Sequence, residues 1–372
     1  MSWSPQQDQA IKAVKDWLAD KRSPQIFRLF GYAGSGKTTL AKHMAEDVDG
    51  EVLYMAFTGK AALVLRKKGC VGASTIHSAI YKPEEDPVTG HMEFKLNPDS
   101  PVATAGLVVV DEVSMVGEDL ARDLLSFGSK VLVLGDPAQL PPVKGEGFFI
   151  NAQPDVMLTE VHRQAAENPI IRMSMDVREG RGLAPGAYGT SQVILRAEID
   201  RDQLRDMVMA ADQLLCGMNK TRQTFNNRIR ELGGRIGSPA PQMPVVGDRL
   251  VCLKNNRIKG LFNGGLWDVD KVVRRPGRTD MLVSSVDEPG TIPVDIEVPD
   301  QFFLGTEKDM DWRERKRADE FTYGYALTVH KSQGSQWDNV LVYDESSIFR
   351  DDAAKHLYTA VTRAAERVTV IM

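Results

Sequence analysis

Residues 31–38 read Gly-Tyr-Ala-Gly-Ser-Gly-Lys-Thr, a phosphate-binding loop of the form G-x-x-x-x-G-K-[ST]. This spacing supports a grip on a nucleoside triphosphate. Gly34, Ser35 and Gly36 let backbone N–H groups converge on the phosphates at the positive end of the following helix. Lys37 is placed for the β- and γ-phosphates and the Thr38 hydroxyl for Mg²⁺, with Thr39 next in the first helical turn. A second acidic site, Asp111-Glu112, closes the apolar run Leu107-Val108-Val109-Val110. Asp111 is a candidate ligand for Mg²⁺, directly or through water, and Glu112 a candidate base for the attacking water. Adjacent acids after a strand also cap helices; their pairing with the loop is what points to hydrolysis. Gln139, in Gly135-Asp136-Pro137-Ala138-Gln139, reads either as a γ-phosphate sensor or as part of an ordinary turn.

These groups need particular elements behind them. The run Gln25–Phe30 predicts a strand and Thr39–Met44 the start of a helix, which is the strand–loop–helix context of a nucleotide loop. The continuous apolar segments 107–110 and 131–134 fit central parallel strands buried on both faces. Ligands of open α/β sheets collect at the C-terminal ends of such strands, where Asp111 and Glu112 stand.

The chain has 372 residues, enough for two or more domains, with 42% apolar and 26% charged residues, as expected of a globular protein. The N-terminus Met1–Gln7 is polar and lacks a signal-peptide core, and the apolar runs are of strand length, too short to span a bilayer. Cys70, Cys216 and Cys252 form no metal spacing and read as small buried residues in a reducing, cytoplasmic compartment. A net charge of −5 means that any nucleic-acid partner must meet a local basic groove.

The order of further segments resembles superfamily 1 DNA helicases of the RecD-like and phage Dda-like branch, from about Trp3 to Met372. Trp3–Ala10 resembles the N-terminal glutamine motif, with Gln7 at the adenine-reading position. Ala56-Phe57-Thr58-Gly59-Lys60 resembles motif Ia and Ala73-Ser74-Thr75-Ile76-His77 motif Ib. Asp111-Glu112 fall in motif II and Gly135–Pro141 in motif III. Leu158–Arg163 resembles motif IV, Tyr325–Ser335 motif V, and Leu357–Arg363 motif VI. The resemblance implies an ATP- and Mg²⁺-dependent motor that moves 5′ to 3′ on single-stranded DNA and opens single-strand/duplex junctions. It makes Arg163 and Arg363 arginine fingers, worth about 10³–10⁵ in rate in phosphoryl transfer. It places Gly334 and Gln336 near the nucleotide; many relatives carry Glu at the latter position, so nucleotide selectivity is the property in doubt there.

Motifs Ia, Ib and V supply Thr58, Lys60, Ser74, Thr75, His77, Thr328, His330 and Lys331, residue types that contact phosphate and sugar rather than base edges. Phe57 either stacks on a base or packs under the sheet. Arg66-Lys67-Lys68 and the charged run 313–317 read as groove lining or as solvated helix faces. The expected fold is α/β: two RecA-like P-loop NTPase lobes of parallel sheet flanked by helices, with two insertions. Residues 1–80 and 102–164 form the first lobe; 165–240 and 318–372 form the second. Residues 81–101 predict a β-hairpin wedge with Phe94 or Met92 as its apolar pin, and 241–317 a small β-barrel, with Trp312 near its return. The expected protein is a compact monomer of the phage type, free of membrane, with replication or repair proteins as partners. A translocase that strips proteins without unwinding is the rival within the class. A DNA-binding mediator with a vestigial nucleotide site is the rival outside it, opposed by the intact Lys37, Thr38, Asp111 and Glu112.

Overall fold

The computed structural model describes residues 3–85, 92–141, 147–160, 167–256 and 258–372. These divide into two compact units, Met1–Leu183 with Ala354–Thr362, and Ala184–Ala353 with Arg363–Met372.

The first unit opens with helix α1 (Pro5–Ala19), started by a capping box in which Ser4 and Gln7 bond each other's backbone N–H. Strand β1 (Ile26–Gly31) leads through the glycine loop into α2 (Lys37–Ala45). Next come β2 (Val52–Ala56), α3 (Gly59–Lys67), β3 (Ser74–Thr75) and α4 (Ile76–Ile80). A two-stranded antiparallel hairpin follows, β4 (Tyr81–Glu85) with β5 (Met92–Leu96). The remaining elements are β6 (Leu107–Asp111), α5 (Glu118–Leu125), β7 (Val131–Gly135), β8 (Val156–Leu158) and α6 (Pro169–Arg178). Six strands form one parallel sheet in the order β3-β2-β6-β7-β1-β8.

Strand periodicity explains why both faces of this sheet are dry. Leu107, Val109, Leu132 and Leu134 point into one core with Ala10, Val14 and Trp17 of α1. Val108, Val110, Val131 and Val133 alternate with them and enter the opposite core with Ile76, Ile80 and Leu124. Fully burying each such side chain contributes about 1.5–3 kcal/mol.

The second unit contains β9 (Gly186–Tyr188), β10 (Ser191–Ile194), α7 (Arg201–Ala210), β11 (Gln213–Cys216) and α8 (Asn219–Leu232). Its inserted part contains β12 (Arg249–Cys252), β13 (Leu266–Arg275), β14 (Arg278–Ser285), β15 (Val294–Pro299), the short helices α9 (Gln301–Leu304) and α10 (Trp312–Arg317), and β16 (Phe321–Tyr323). The chain returns through β17 (Ala326–Thr328) and β18 (Trp337–Tyr343), then α11 (Ala353–Val361) and β19 (Ala364–Ile371). A six-stranded sheet runs β17-β11-β18-β19-β10-β9, parallel except for the β9–β10 edge.

The inserted strands make a separate antiparallel sheet, β15-β14-β13-β12-β16. Thr279, Met281 and Val283 of β14 alternate inward, and Met281 and Val283 join a core with Ile296, Phe303 and Phe321. Its two ends are stitched together: the Asp319 N–H donates to the Glu297 carbonyl at 3.2 Å, and the Glu297 N–H to the Asp319 carboxylate at 3.1 Å.

Three segments fall differently from their sequence-based assignments. Residues 167–183, expected in the second lobe, belong to the first unit. Residues 354–362 of the C-terminal segment also belong to the first unit. Strand β16, expected in the second lobe proper, pairs with β12 and so extends the inserted sheet past residue 317.

Candidate nucleotide site and nucleic-acid interface

The nucleotide loop lies at the C-terminal edge of the first sheet. Gly36 takes φ 77°, a left-handed conformation that glycine enters without a Cβ penalty, and hands the chain to α2. The Ser35 hydroxyl donates to the Tyr32 carbonyl at 2.7 Å, and Lys37 Nζ donates to the carbonyls of Gly31 (2.6 Å) and Tyr32 (3.1 Å). Thr39 is exposed on the first turn of α2, and Gly34 is exposed at the loop tip. Gln7 is buried; its Nε2 donates to the Ser35 carbonyl at 3.1 Å while its Oε1 accepts from Ser4 N–H at 3.0 Å. The glutamine thus ties α1 to the loop.

Two oxygens converge beside the loop. The Thr38 hydroxyl donates to Asp111 Oδ2 at 2.8 Å, and the Glu112 N–H donates to Asp111 Oδ1, also at 2.8 Å. Burial, then the neighbouring Glu112 charge, push the Asp111 carboxyl above its ordinary range, while the Thr38 hydrogen bond pulls it back. A bound cation would reverse that balance. One hydroxyl and one carboxylate are a hard-oxygen pair that suits Mg²⁺, whose other positions go to phosphates and water. Among the described residues no group of three or more His, Cys, Asp or Glu gathers to hold a metal by itself. Glu112 has φ 55° and ψ 48°, a left-handed conformation costly for a side-chain-bearing residue and concentrated at functional sites.

The third motif joins the same edge. Gln139 is 8% exposed and its Oε1 is buried without a hydrogen-bond partner. Asp136 is buried and accepts a hydrogen bond from the Tyr358 hydroxyl at 2.7 Å; that hydroxyl also accepts from the loop's Ala33 N–H at 2.8 Å. Burial raises both acids in this pair, Asp136 against the pull of the Lys37 charge, and Tyr358 with help from the Asp136 charge. The proton therefore stays on the tyrosine. Sequence reasoning missed Tyr358, which looks like one more core residue of α11. It also missed Gln6, whose Oε1 accepts from Thr159 N–H and Glu160 N–H at 2.9 and 3.0 Å, and Arg178, whose guanidinium lies 3.7 Å from the centroid of the Tyr32 ring.

The candidate strand-contacting residues of the first unit sit on the next loops along this edge. Thr58 caps α3 through Ala61 N–H at 3.1 Å; Thr75 caps α4 in a capping box with Ser78; Ser74 is half-buried in β3. Lys60 is 7% exposed, so the first turn of α3 buries it rather than displaying it. Phe57 packs against the hydrophobic core, the second of its two readings. His77 stands between the rings of Tyr81 (4.6 Å) and Phe94 (4.9 Å), and Phe94 is 53% exposed on the hairpin. Arg66, Lys67 and Lys68 are exposed at the C-terminal end of α3, a favourable place for cations.

In the second unit, Arg363 is 5% exposed and its Nη1 donates to the Ser335 carbonyl at 3.2 Å; Gly334 (φ 74°) and the exposed Gln336 flank that serine. The Thr328 hydroxyl accepts from Lys331 N–H at 3.3 Å, and Lys331 Nζ donates to Asn263 Oδ1 at 2.7 Å. The His330 ring lies 5.6 Å from that of Phe349, and burial lowers its pKa. Trp312 is 56% exposed, and α10 presents its charged run 313–317 to solvent. Arg163, and the side chain of Met92, lie outside the described residues.

Residues 3–198 match the model of the AAA domain family. The chain belongs to the AAA domain family. Residues 323–371 of this AAA-domain chain match the UvrD-like helicase C-terminal domain. Its likeness is to superfamily 1 RecD- and Pif1-like DNA helicases. The ATP-dependent RecD2 DNA helicase of Deinococcus radiodurans is 33% identical over 379 residues, covering 95% of this chain and 47% of that protein. The chain spans less than half the length of that relative. Two solved structures share the fold. Bacteroides Pif1 bound to ssDNA has a TM-score of 0.57 at 19% identity, covering 99% of this chain and 92% of that one. A Pif1 structure addressing DNA unwinding at forked dsDNA has a TM-score of 0.58, also at 19% identity, with the same coverage of 99% and 92%. No described helix is long and apolar enough to cross a membrane.

Proposed function

We propose that this chain hydrolyses ATP to move along single-stranded DNA, 5′ to 3′, and to separate duplex ahead of it. The observation that carries the hydrolytic half is the Thr38–Asp111 pair at 2.8 Å with Glu112 held beside it in a left-handed conformation. Mg²⁺, when bound, would neutralise phosphate charge. Thr38 and Asp111 would hold it; Lys37 exchanges the loop carbonyls for phosphate oxygens. Glu112 takes the proton of the attacking water, and Gln139 offers its unpartnered Oε1 to that water or to its neighbours. We carry Arg163 and Arg363 as the charge-spreading arginines, Gln7 as an adenine contact, and Gly334 and Gln336 as nucleotide neighbours.

The DNA half rests on the Pif1 structures with ssDNA and forked DNA as their subjects and on the helicase name of the RecD2 relative. Thr58, Ser74, Thr75, Thr328, His330 and Lys331 are the candidate backbone contacts. Polarity follows the RecD-like resemblance. We read the stitched antiparallel sheet as the barrel-like insertion and the β4–β5 hairpin as the wedge, with Phe94 at its exposed face.

The test is ATP hydrolysis with and without single-stranded DNA, followed by forked substrates with opposite tails. Strong stimulation by DNA is expected; turnover indifferent to DNA would remove the motor reading. Replacing residues 82–95 by a short glycine linker should abolish unwinding and spare DNA-stimulated hydrolysis. Unwinding that survives would leave the hairpin a surface loop, and loss of both activities would favour a structural role for it.

A further inference from the structure

The β4–β5 hairpin has two unlike faces. Residues paired across an antiparallel hairpin share a face, and the register pairs Tyr81 with Leu96, Pro83 with Phe94 and Lys82 with Lys95. One face is therefore apolar and the other charged, with Lys95 and Glu84 in an ion pair at 3.0 Å. On the apolar face Pro83, Phe94 and Leu96 are all exposed. A two-stranded hairpin is marginally stable by itself, so its angle must be set where it meets the body. Three ties hold its root. The Asn97 N–H donates to the Ile80 carbonyl and the Ser100 hydroxyl to the Ala79 carbonyl, each at 2.8 Å. The Tyr81 hydroxyl donates to the Asp123 carboxylate of α5; burial, then this hydrogen bond, raise the tyrosine pKa and keep the proton in place.

His77 reaches farther out than any of these ties. Its ring lies 4.6 Å from that of Tyr81 and 4.9 Å from that of Phe94, the second contact edge-on at 72°. Phe94 stands two residues beyond Leu96, the partner of Tyr81, so the imidazole spans from the root to the exposed part of the hairpin. Such aromatic contacts have preferred geometries and resist tilting. His77 belongs to α4, a helix of five residues whose start is capped by Thr75, a candidate strand contact. We propose that His77 is a positioning residue, an aromatic strut that fixes the angle of the β4–β5 hairpin and joins it to the Ser74–Thr75 loop through α4. This deepens the reading of the hairpin as a wedge and rests on it: a wedge that yields to the duplex would spend ATP without opening base pairs.

The experiment compares wild type, H77A, H77F, F94A and the double variant H77A/F94A. It reads hydrogen exchange of the hairpin amides, and base pairs opened on a forked duplex per ATP hydrolysed. In H77A, exchange across β4 and β5 should quicken about tenfold while the parallel sheet is unchanged, and H77F should restore it. F94A removes the same contact from the other side, so the double variant should exchange no faster than either single one. Base pairs opened per ATP should fall about fivefold in H77A and stay within about twofold of wild type in H77F. H77F keeps a ring and loses the ring nitrogens, which separates a strut from a strand contact. If H77F loses duplex opening and single-strand affinity together with H77A, His77 is a strand contact and the proposal is overturned. Unchanged hairpin exchange in H77A overturns it too, and so does exchange that quickens throughout the first unit, the mark of ordinary packing. A wild type that opens no duplex would instead sink the wedge reading, and the exchange measurement would still decide the strut.

Discussion

The two parallel sheets use the same local plan, a strand that turns into a helix, and fill the turn in opposite ways. After β1, Gly36 delivers the N-terminus of α2 with no side-chain cap, although the Ala33 and Ser35 N–H groups further back in the loop are taken by the Tyr358 hydroxyl and the Tyr32 carbonyl. After β11, the N-terminus of α8 is already occupied by a carboxylate of the chain itself. Glu345 accepts from Gly217 N–H and Met218 N–H at 2.9 Å each, and from the Thr221 hydroxyl at 2.6 Å. Gly217 is required there by close approach, since a Cβ would stand 2.9 Å from the Glu345 Cβ. One helix terminus carries no side-chain cap, and the other is met by a carboxylate of the chain itself.

The largest expected effect is at the open terminus. E112Q should lower kcat by about 10²–10⁴ while nucleotide binding persists, measured by steady-state hydrolysis and a fluorescent ATP analogue. A kcat near wild type would mean that the first sheet's edge binds without catalysing, and the contrast between the sheets would lose its chemical half. At the closed terminus, E345A leaves two N–H groups and a hydroxyl without their acceptor and should destabilise the second unit by about 2 kcal/mol, read as an earlier urea transition. If E345A instead created nucleotide binding at α8, the two termini would be interchangeable. The smallest effect sharpens the first unit alone: Y358F removes the hydroxyl between Ala33 and Asp136, worth about 1 kcal/mol, and should raise the KM for ATP about fivefold with kcat little changed. An unaltered KM would show that the hydroxyl serves packing only.

The same contrast explains what was legible in the sequence. The nucleotide site is local: Gly31 to Thr38 lie on one turn, and Asp111 ends a run of four apolar residues, so spacing alone locates them. The start of α8 is not marked locally, because the carboxylate that meets it comes from Glu345, more than a hundred residues away, and no side-chain cap stands at Met218. Strand β16 was assigned to the wrong sheet because three residues, Phe321–Tyr323, carry too little pattern to choose between partners. Tyr358 is a similar case. A tyrosine on an apolar helix looks like core, and only tertiary placement reveals a buried bridge. Motif V and VI residues were legible through resemblance rather than chemistry, since Thr328, Lys331 and Arg363 are unremarkable one at a time.

The membership of α11 carries a consequence for how the chain can be cut. The C-terminal segment crosses from the second unit to the first and back within ten residues, lending Ala354–Thr362 to the first unit. A single backbone nick between Leu183 and Ala184 would therefore not release two independent bodies. The C-terminal fragment would still own the helix whose Tyr358 is bonded to Ala33 and Asp136 on the other fragment. The protein is in effect a natural split system, in which the nucleotide-binding half is completed by a peptide donated from the far end of the chain.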